Sequence, residues 1–133
     1  MNIQQPALVF SAWQRDIDTE QNRKNVAWVK LQLKQHGVEY AIAQGCYKQD
    51  CEPALVVLDT DHARGIVQRL SRLLKQESIL TIDANRHARL ETCDGQLIES
   101  LGILRNVPEK AARACDAWTR VGERFYTTEL MQE

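Results

Sequence analysis

Apolar positions along the chain fall into two rhythms. Ala7 to Trp13 follows Pro6, is mostly apolar and holds one interior polar residue, Ser11. A run of this kind predicts a first strand buried on both faces or nearly so. From Thr19 to about His36 the pattern predicts a helix, stopped by Gly37. Thr19 suits its N-cap, with Asp18 and Glu20 at the positive end of the helix dipole. Asn22, Val26, Val29 and Leu33 share one face of it, so Asn22 points toward the sheet. Val38 to Ala43 partly alternates and reads as a second strand; Ala54 to Leu58, apolar and partly β-branched, reads as a third. Asp59-Thr60-Asp61 caps a second helix, in which Ala63, Ile66, Val67, Leu70, Leu73 and Leu74 recur at helical spacing. Its outer face carries Arg64, Arg69, Arg72 and Lys75 and reads as solvated surface, not as a nucleic-acid stripe. Ser78 to Asp83 reads as a fourth strand, entered through Gln76-Glu77.

The order β-α-β-β-α-β predicts an α+β protein of the ferredoxin-like kind: a βαββαβ sandwich, its antiparallel sheet carrying two helices on one face. Residues 1–133 are expected to form one domain, with a core of about 6–91 and a C-terminal extension of about 92–133. In that extension Asp94-Gly95 is a hairpin signal. Gln96 to Leu104 would return as a strand that Asn106-Val107-Pro108 breaks. Glu109 to Trp118 has helical composition, and Arg124 to Thr128 suits a short final strand.

Composition narrows the function classes. A chain of 133 residues with 44% hydrophobic residues supports one modest core, and a net charge of −1 gives no electrostatic footprint for nucleic acid or an anionic membrane. No apolar run approaches the ~20 residues of a membrane span. The N-terminus lacks a signal-peptide pattern, so a cytoplasmic location is expected. Cys46, Cys51, Cys93 and Cys115 form no C-x-x-C pair and His36, His62 and His87 are scattered. Reduced thiols, with neither a metal nor a cofactor, are therefore expected. Trp13, Trp28 and Trp118 are divided between core packing and an interface.

The stretch Gln44-Gly45-Cys46-Tyr47-Lys48-Gln49-Asp50-Cys51-Glu52-Pro53 is polar and reads as a loop feeding the third strand. It sets the phenol of Tyr47 and the carboxylate of Glu52 at the mouth of the sheet, where loops on a rigid scaffold often carry function. The plainer alternative is a solvated connection. Ser11, Asn22 and Glu77 are expected to converge near the ends of the first and fourth strands. With the first and third strands taken as a parallel central pair, Ser11, Asn22, Tyr47, Glu52 and Glu77 cannot all meet in one subunit. A site using all of them would need a neighbouring copy. No Ser-His-Asp order, P-loop, G-x-G-x-x-G or H-E-x-x-H motif competes.

Several of these residues also carry a resemblance. Ser11-Ala12-Trp13 with Asn22, Gly45-Cys46-Tyr47-Lys48, Glu52 before the third strand, Gln76-Glu77 leading into Ile79-Leu80, Asp94-Gly95, and Gly102 before Val107-Pro108 occur in an order and spacing that resemble the small phage S-adenosylmethionine lyases, long labelled hydrolases. The segment between Tyr47 and Glu52 is shorter here. The S-A-W, E-P and Q-E pattern is also similar to that of a broader group of bacterial proteins. The resemblance implies a homotrimer similar to the PII signalling proteins, with ligand sites between subunits. It also implies cleavage of S-adenosylmethionine to 5′-methylthioadenosine and homoserine lactone, which in a phage would starve host methylation and restriction. It places Glu52 and Tyr47 in catalysis; Ser11, Asn22, Gly45, Cys46 and Glu77 are expected to bind the substrate around them. The alternative from another class is a non-catalytic module of PII-like form that binds S-adenosylmethionine or an adenine nucleotide.

Overall fold

The two long helices form where apolar residues recur at helical spacing and a side chain caps the first turn. A computed structural model describes residues 5–129. After β1 (Ala7–Phe10) comes α1 (Thr19–Gln35), whose cap is Asp18 and not Thr19: the Asp18 carboxylate accepts the Gln21 N–H at 2.8 Å. Asn22, Val29 and Leu33 are its buried residues, as their spacing requires. Next are β2 (Ala41–Tyr47) and β3 (Asp50–Leu58). In α2 (Asp61–Leu73), Thr60 accepts the Ala63 N–H at 3.1 Å.

The chain continues through β4 (Ile79–Ile82), β5 (His87–Glu91), β6 (Leu97–Ile103), β7 (Arg105–Val107), α3 (Glu109–Arg113), β8 (Ala117–Val121) and β9 (Arg124–Thr127). The helix expected to reach Trp118 stops at Arg113. Trp118 instead joins a strand, paired with Cys46 of β2 and packed on Phe125 with ring centroids 5.6 Å apart. Burial of a large aromatic against a second strand overrides the helical composition of the segment.

All nine strands form one antiparallel sheet in the order β6-β5-β4-β1-β3-β2-β8-β9-β7. β6 and β7 lie at opposite ends of that order, yet only Leu104 separates them in the chain. The sheet therefore curls until its two edges nearly meet, as a nearly closed barrel. This corrects the expected ferredoxin-like sandwich. Up to residue 82 the elements follow the expected chain order, but four of the nine strands, β6 to β9, come from the segment expected to be an extension.

Curling buries both sides of the central strands. Leu8, Phe10, Leu55 and Val57 pack outward, against Val29 and Leu33 of α1 and Val67 and Leu70 of α2. Ala7, Val9, Ala54 and Val56 alternate with them and face the barrel interior, together with Ala43, Ile82, Ala88, Leu104, Val121 and Tyr126. Each fully buried aliphatic side chain here contributes about 1.5–3 kcal/mol. The alanines allow tight curvature, and two-sided burial accounts for the uninterrupted apolar runs.

The pairing of β1 with β3 is antiparallel, Ala7 opposite Leu58 and Phe10 opposite Leu55. This corrects the expected parallel pair. β1 and β2 run the same way, and the hairpin strand β3 lies between them in the opposite direction.

Leu104 is 4% exposed and sits where the barrel closes. Leu104→Ala is expected to cost about 2–4 kcal/mol in urea unfolding, as for a core leucine. A loss within about 0.5 kcal/mol, as at a surface position, would show that the closure does not exist.

Candidate active site

The stretch from Gln44 to Pro53, expected to be a loop, is a continuous hairpin. β2 and β3 remain in register from Ala41 opposite Val56 to Tyr47 opposite Asp50. Lys48 and Gln49 form the two-residue turn, with φ of 48° and 69°. Two positive φ values identify a type I′ turn, whose twist matches the strands it joins. Tyr-Lys-Gln-Asp has neither the glycine nor the asparagine that marks such turns. Counting out from the turn, Gln44 and Pro53 form a non-hydrogen-bonded pair. Pro53 therefore owes no N–H to β2, and the ladder to β1 begins only at Leu55.

Alternation then fixes the faces. Gly45 and Tyr47 share the side of Ala43, and Glu52 shares the side of Ala54; both sides are the barrel interior. Gly45 stands directly opposite Glu52, and Tyr47 is the diagonal neighbour. A Cβ on Gly45 would meet nothing within 4 Å, so the space beside Glu52 is open.

Because β1 and β3 are antiparallel, the end of β1 lies beside the start of β3. Ser11 donates to the Pro53 carbonyl at 2.9 Å and accepts the Trp13 N–H at 3.0 Å. The same hydroxyl lies close enough to the Glu52 carboxyl to lower its titration. The loop beyond Ser11 is held by Asn22, which is 1% exposed. Asn22 Oδ1 accepts the Gln14 N–H at 2.9 Å, while Nδ2 donates to the carbonyls of Gln14 at 2.7 Å and Ile17 at 3.2 Å. Two further bonds tie this loop to the turn between α2 and β4: the Gln14 side chain donates to Leu74 O, and Gln76 Nε2 donates to Trp13 O at 3.2 Å.

Between loop, turn and hairpin lies an open cleft of about 520 Å³, lined by Trp13, Arg15, Glu52, Lys75, Glu77 and Ser78 among others. That volume lies in the range of small-molecule sites. Ser11, Glu52 and Glu77 thus meet at one end of a single chain, where a parallel pairing of β1 with β3 would have carried Glu52 away from the other two. Gly45 faces the same place. Tyr47 is on the same side but 55% exposed at the hairpin tip, with the Lys48 ammonium 5.3 Å from its ring centroid. Asn22 and Cys46 lie apart from the cleft, Asn22 beneath the loop it holds. Cys46 is on the outer face, packed with Ala112, Trp118 and Phe125.

Arg15 and Lys75 were missed as site residues. Arg15 lies four positions after Ser11 in a polar connection; Lys75 lies just past Leu74, the C-cap of α2, and takes φ of 56° in the turn there. Burial pushes the Glu52 carboxyl above its usual range. The neighbouring Ser11 hydroxyl and the Arg15 charge pull it down, and Asp50 pushes it up.

The expectation of reduced thiols is also corrected. Cys46 and Cys51, opposite each other across the hairpin, form a disulfide with Cα atoms 4.0 Å apart. Cys93 and Cys115 are free. Adjacent strands bring the two sulfurs together, which residue spacing alone did not convey. Among the described residues no three His, Cys, Asp or Glu side chains group as a metal site, and no helix is long and apolar enough to cross a membrane.

A model of the S-adenosylmethionine lyase family matches residues 8–129. The chain belongs to this family. No curated protein matches it. The family match runs from β1 to just beyond β9 and so takes in the whole barrel. Membership in the lyase family supports an S-adenosylmethionine-cleaving function, and Glu52 with its cleft lies inside the matched span.

Two outcomes follow from this geometry. Glu52 titrates higher in the fold than in the unfolded chain. The stability it contributes is full below the unfolded carboxylate range and lost as pH rises through the raised folded value. Glu52→Gln should therefore melt higher than the parent at pH 7, the gap closing toward pH 4; a gap of opposite sign contradicts the raised titration. Denatured without reductant, the protein should react with two equivalents of a thiol reagent per chain, and with four after reduction. Four before reduction would remove the disulfide.

Proposed function

We propose that this protein cleaves S-adenosylmethionine to 5′-methylthioadenosine and homoserine lactone. The observation that carries the reading is the half-buried Glu52 carboxylate, lining the cleft beside Ser11 and facing the open space at Gly45, within a chain of the lyase family.

The chemistry suits so sparse a site. An oxygen of the substrate's own carboxylate attacks its γ-carbon. The new C–O bond closes the lactone, the C–S bond breaks, and its electron pair goes to sulfur, turning a sulfonium into a neutral thioether. No proton is gained or lost. The protein folds the substrate into attack geometry, for which effective molarities reach ~10⁵ M or more. Positive charge on sulfur disappears along the path, so an anion beside the sulfur would stabilise the ground state and slow the reaction. Glu52 is accordingly assigned to the ammonium group or the ribose hydroxyls. Ser11 holds Glu52 in place, Asn22 fixes the loop that forms one wall, and Glu77 supplies a second carboxylate. Gly45 leaves room beside Glu52, and Cys46 fixes the hairpin through its disulfide. Tyr47, exposed at the tip, shapes the mouth of the cleft.

A homotrimer belongs to this reading. Its support is the outermost strand β6, where Leu97 and Ile98 are 60% and 52% exposed, together with the exposed Tyr47. Depletion of a host's S-adenosylmethionine by a phage-encoded enzyme would be the physiological extension.

The experiment incubates purified protein with S-adenosylmethionine and follows methylthioadenosine and homoserine lactone by chromatography. Both products should accumulate, and Glu52→Gln should lower kcat/KM by about 10–100-fold, the worth of a hydrogen bond to a charged group. Full turnover in that variant would remove Glu52 from the site. Saturable binding without product would make the protein a binding module, and neither binding nor product would end the reading.

A further inference from the structure

We propose that Arg15 receives the substrate's carboxylate, giving up Asp50 to do so, and thereby sets specificity for an intact α-amino-acid head. The inference rests on the cleavage reading above and adds to it the residue that recognises the nucleophile.

The head of S-adenosylmethionine carries an ammonium and a carboxylate on one carbon. A site for it needs an acid and a base side by side. In the cleft, Glu52 and Arg15 are such a pair: both line the same space, and the Arg15 charge is close enough to pull on the Glu52 titration. Lys75 also lines the cleft but is not among the charges acting on Glu52. Glu77 lies in the same lining, and Asp16 adds another carboxylate. An anionic group entering among three acids needs a cation beside Glu52, and Arg15 is placed there.

Arg15 already holds a carboxylate. Its Nη2 lies 2.5 Å from Asp50 Oδ2, with the two side chains 73% and 59% exposed. Pairs this exposed contribute little to stability, so another carboxylate can replace Asp50 at small cost. Asp50 opens β3 and Arg15 sits on the loop after β1, so the pair bridges two sides of the cleft mouth. A guanidinium offers several N–H donors in a rigid plane. Held through one oxygen, the substrate carboxylate keeps its other oxygen free to form the C–O bond at the γ-carbon as the C–S bond breaks.

The test compares two unreactive probes, S-adenosylhomocysteine and its decarboxylated counterpart, by calorimetric titration, alongside turnover of S-adenosylmethionine. The parent protein should bind the carboxylate-bearing probe about 10–100-fold tighter, as expected for a charge-assisted hydrogen bond. Arg15→Gln should bind the two probes alike and raise KM for S-adenosylmethionine; Arg15→Lys should recover part of the discrimination. Because Arg15 is exposed, neither variant is expected to disturb folding. If the parent makes product and Arg15→Gln still discriminates, the Arg15 assignment is wrong and the cleavage reading stands. If the parent neither binds the probes nor makes product, both fall together.

Discussion

The antiparallel ladder between β1 and β3 is the constraint on which the site depends. It brings the last residue of one strand beside the first residues of the other, and so sets Ser11 against Pro53 and Glu52. Reversing that direction would place Ser11 at the opposite end of β3, and no loop rearrangement would restore the contact. The ladder is also the centre of both cores. Its outward residues hold α1 and α2, and its inward residues hold the barrel. Backbone pairing thus fixes the acid's position before any side-chain preference acts.

Around this centre the polar bonds are placed where loops would otherwise move. Asn22 has its carbonyl and both amide hydrogens engaged by the loop that carries Trp13 and Arg15. Gln14 and Gln76 lace the same loop to the turn before β4. On the far side the hairpin is held by a type I′ turn and by the Cys46–Cys51 bond. Three walls are therefore fixed, the loop and the turn in part by cleft-lining Gln14 and Gln76 themselves, while the charged Glu52 and Glu77 take no part in that bracing. That division is the usual requirement for preorganisation.

Much of the local structure was legible in the sequence, because local structure depends on near neighbours. The spacing of Asn22, Val29 and Leu33 gave the buried face of α1, and Thr60 gave the cap of α2. The closure of the sheet was not legible. It depends on Leu104 joining two edges that are distant in strand order, and a βαββαβ pattern carries no information about what later strands pair with. The polar run from Gln44 to Pro53 looked like a loop because its turn residues, Lys48 and Gln49, are unconventional and its proline lies past the end of a ladder. Trp118 shows the same limit from the other side: helical composition lost to a cross-strand aromatic contact. The approach of Ser11 to Glu77 follows from the chain order of β1 and β4; that Glu52 joins them depends on the direction of β3 beside β1, which local pattern does not carry.

The electrostatics of the cleft connect this architecture to its chemistry. Glu52 is half-buried, with its titration raised by burial and only partly offset by Ser11 and Arg15. A carboxylate kept short of solvent in the empty site has most to gain from an arriving cation, because the ammonium replaces the water the fold has removed. A sulfonium held away from the acid is left without compensation, and that cost disappears as the C–S bond breaks and sulfur becomes neutral. One environment can thus favour binding of the charge that persists and expulsion of the charge that does not, provided the acid faces the amino-acid head and not the sulfur. In the proposed site, Glu52 and Arg15 lining one space would supply that orientation, since only the head of S-adenosylmethionine carries both signs of charge on adjacent groups.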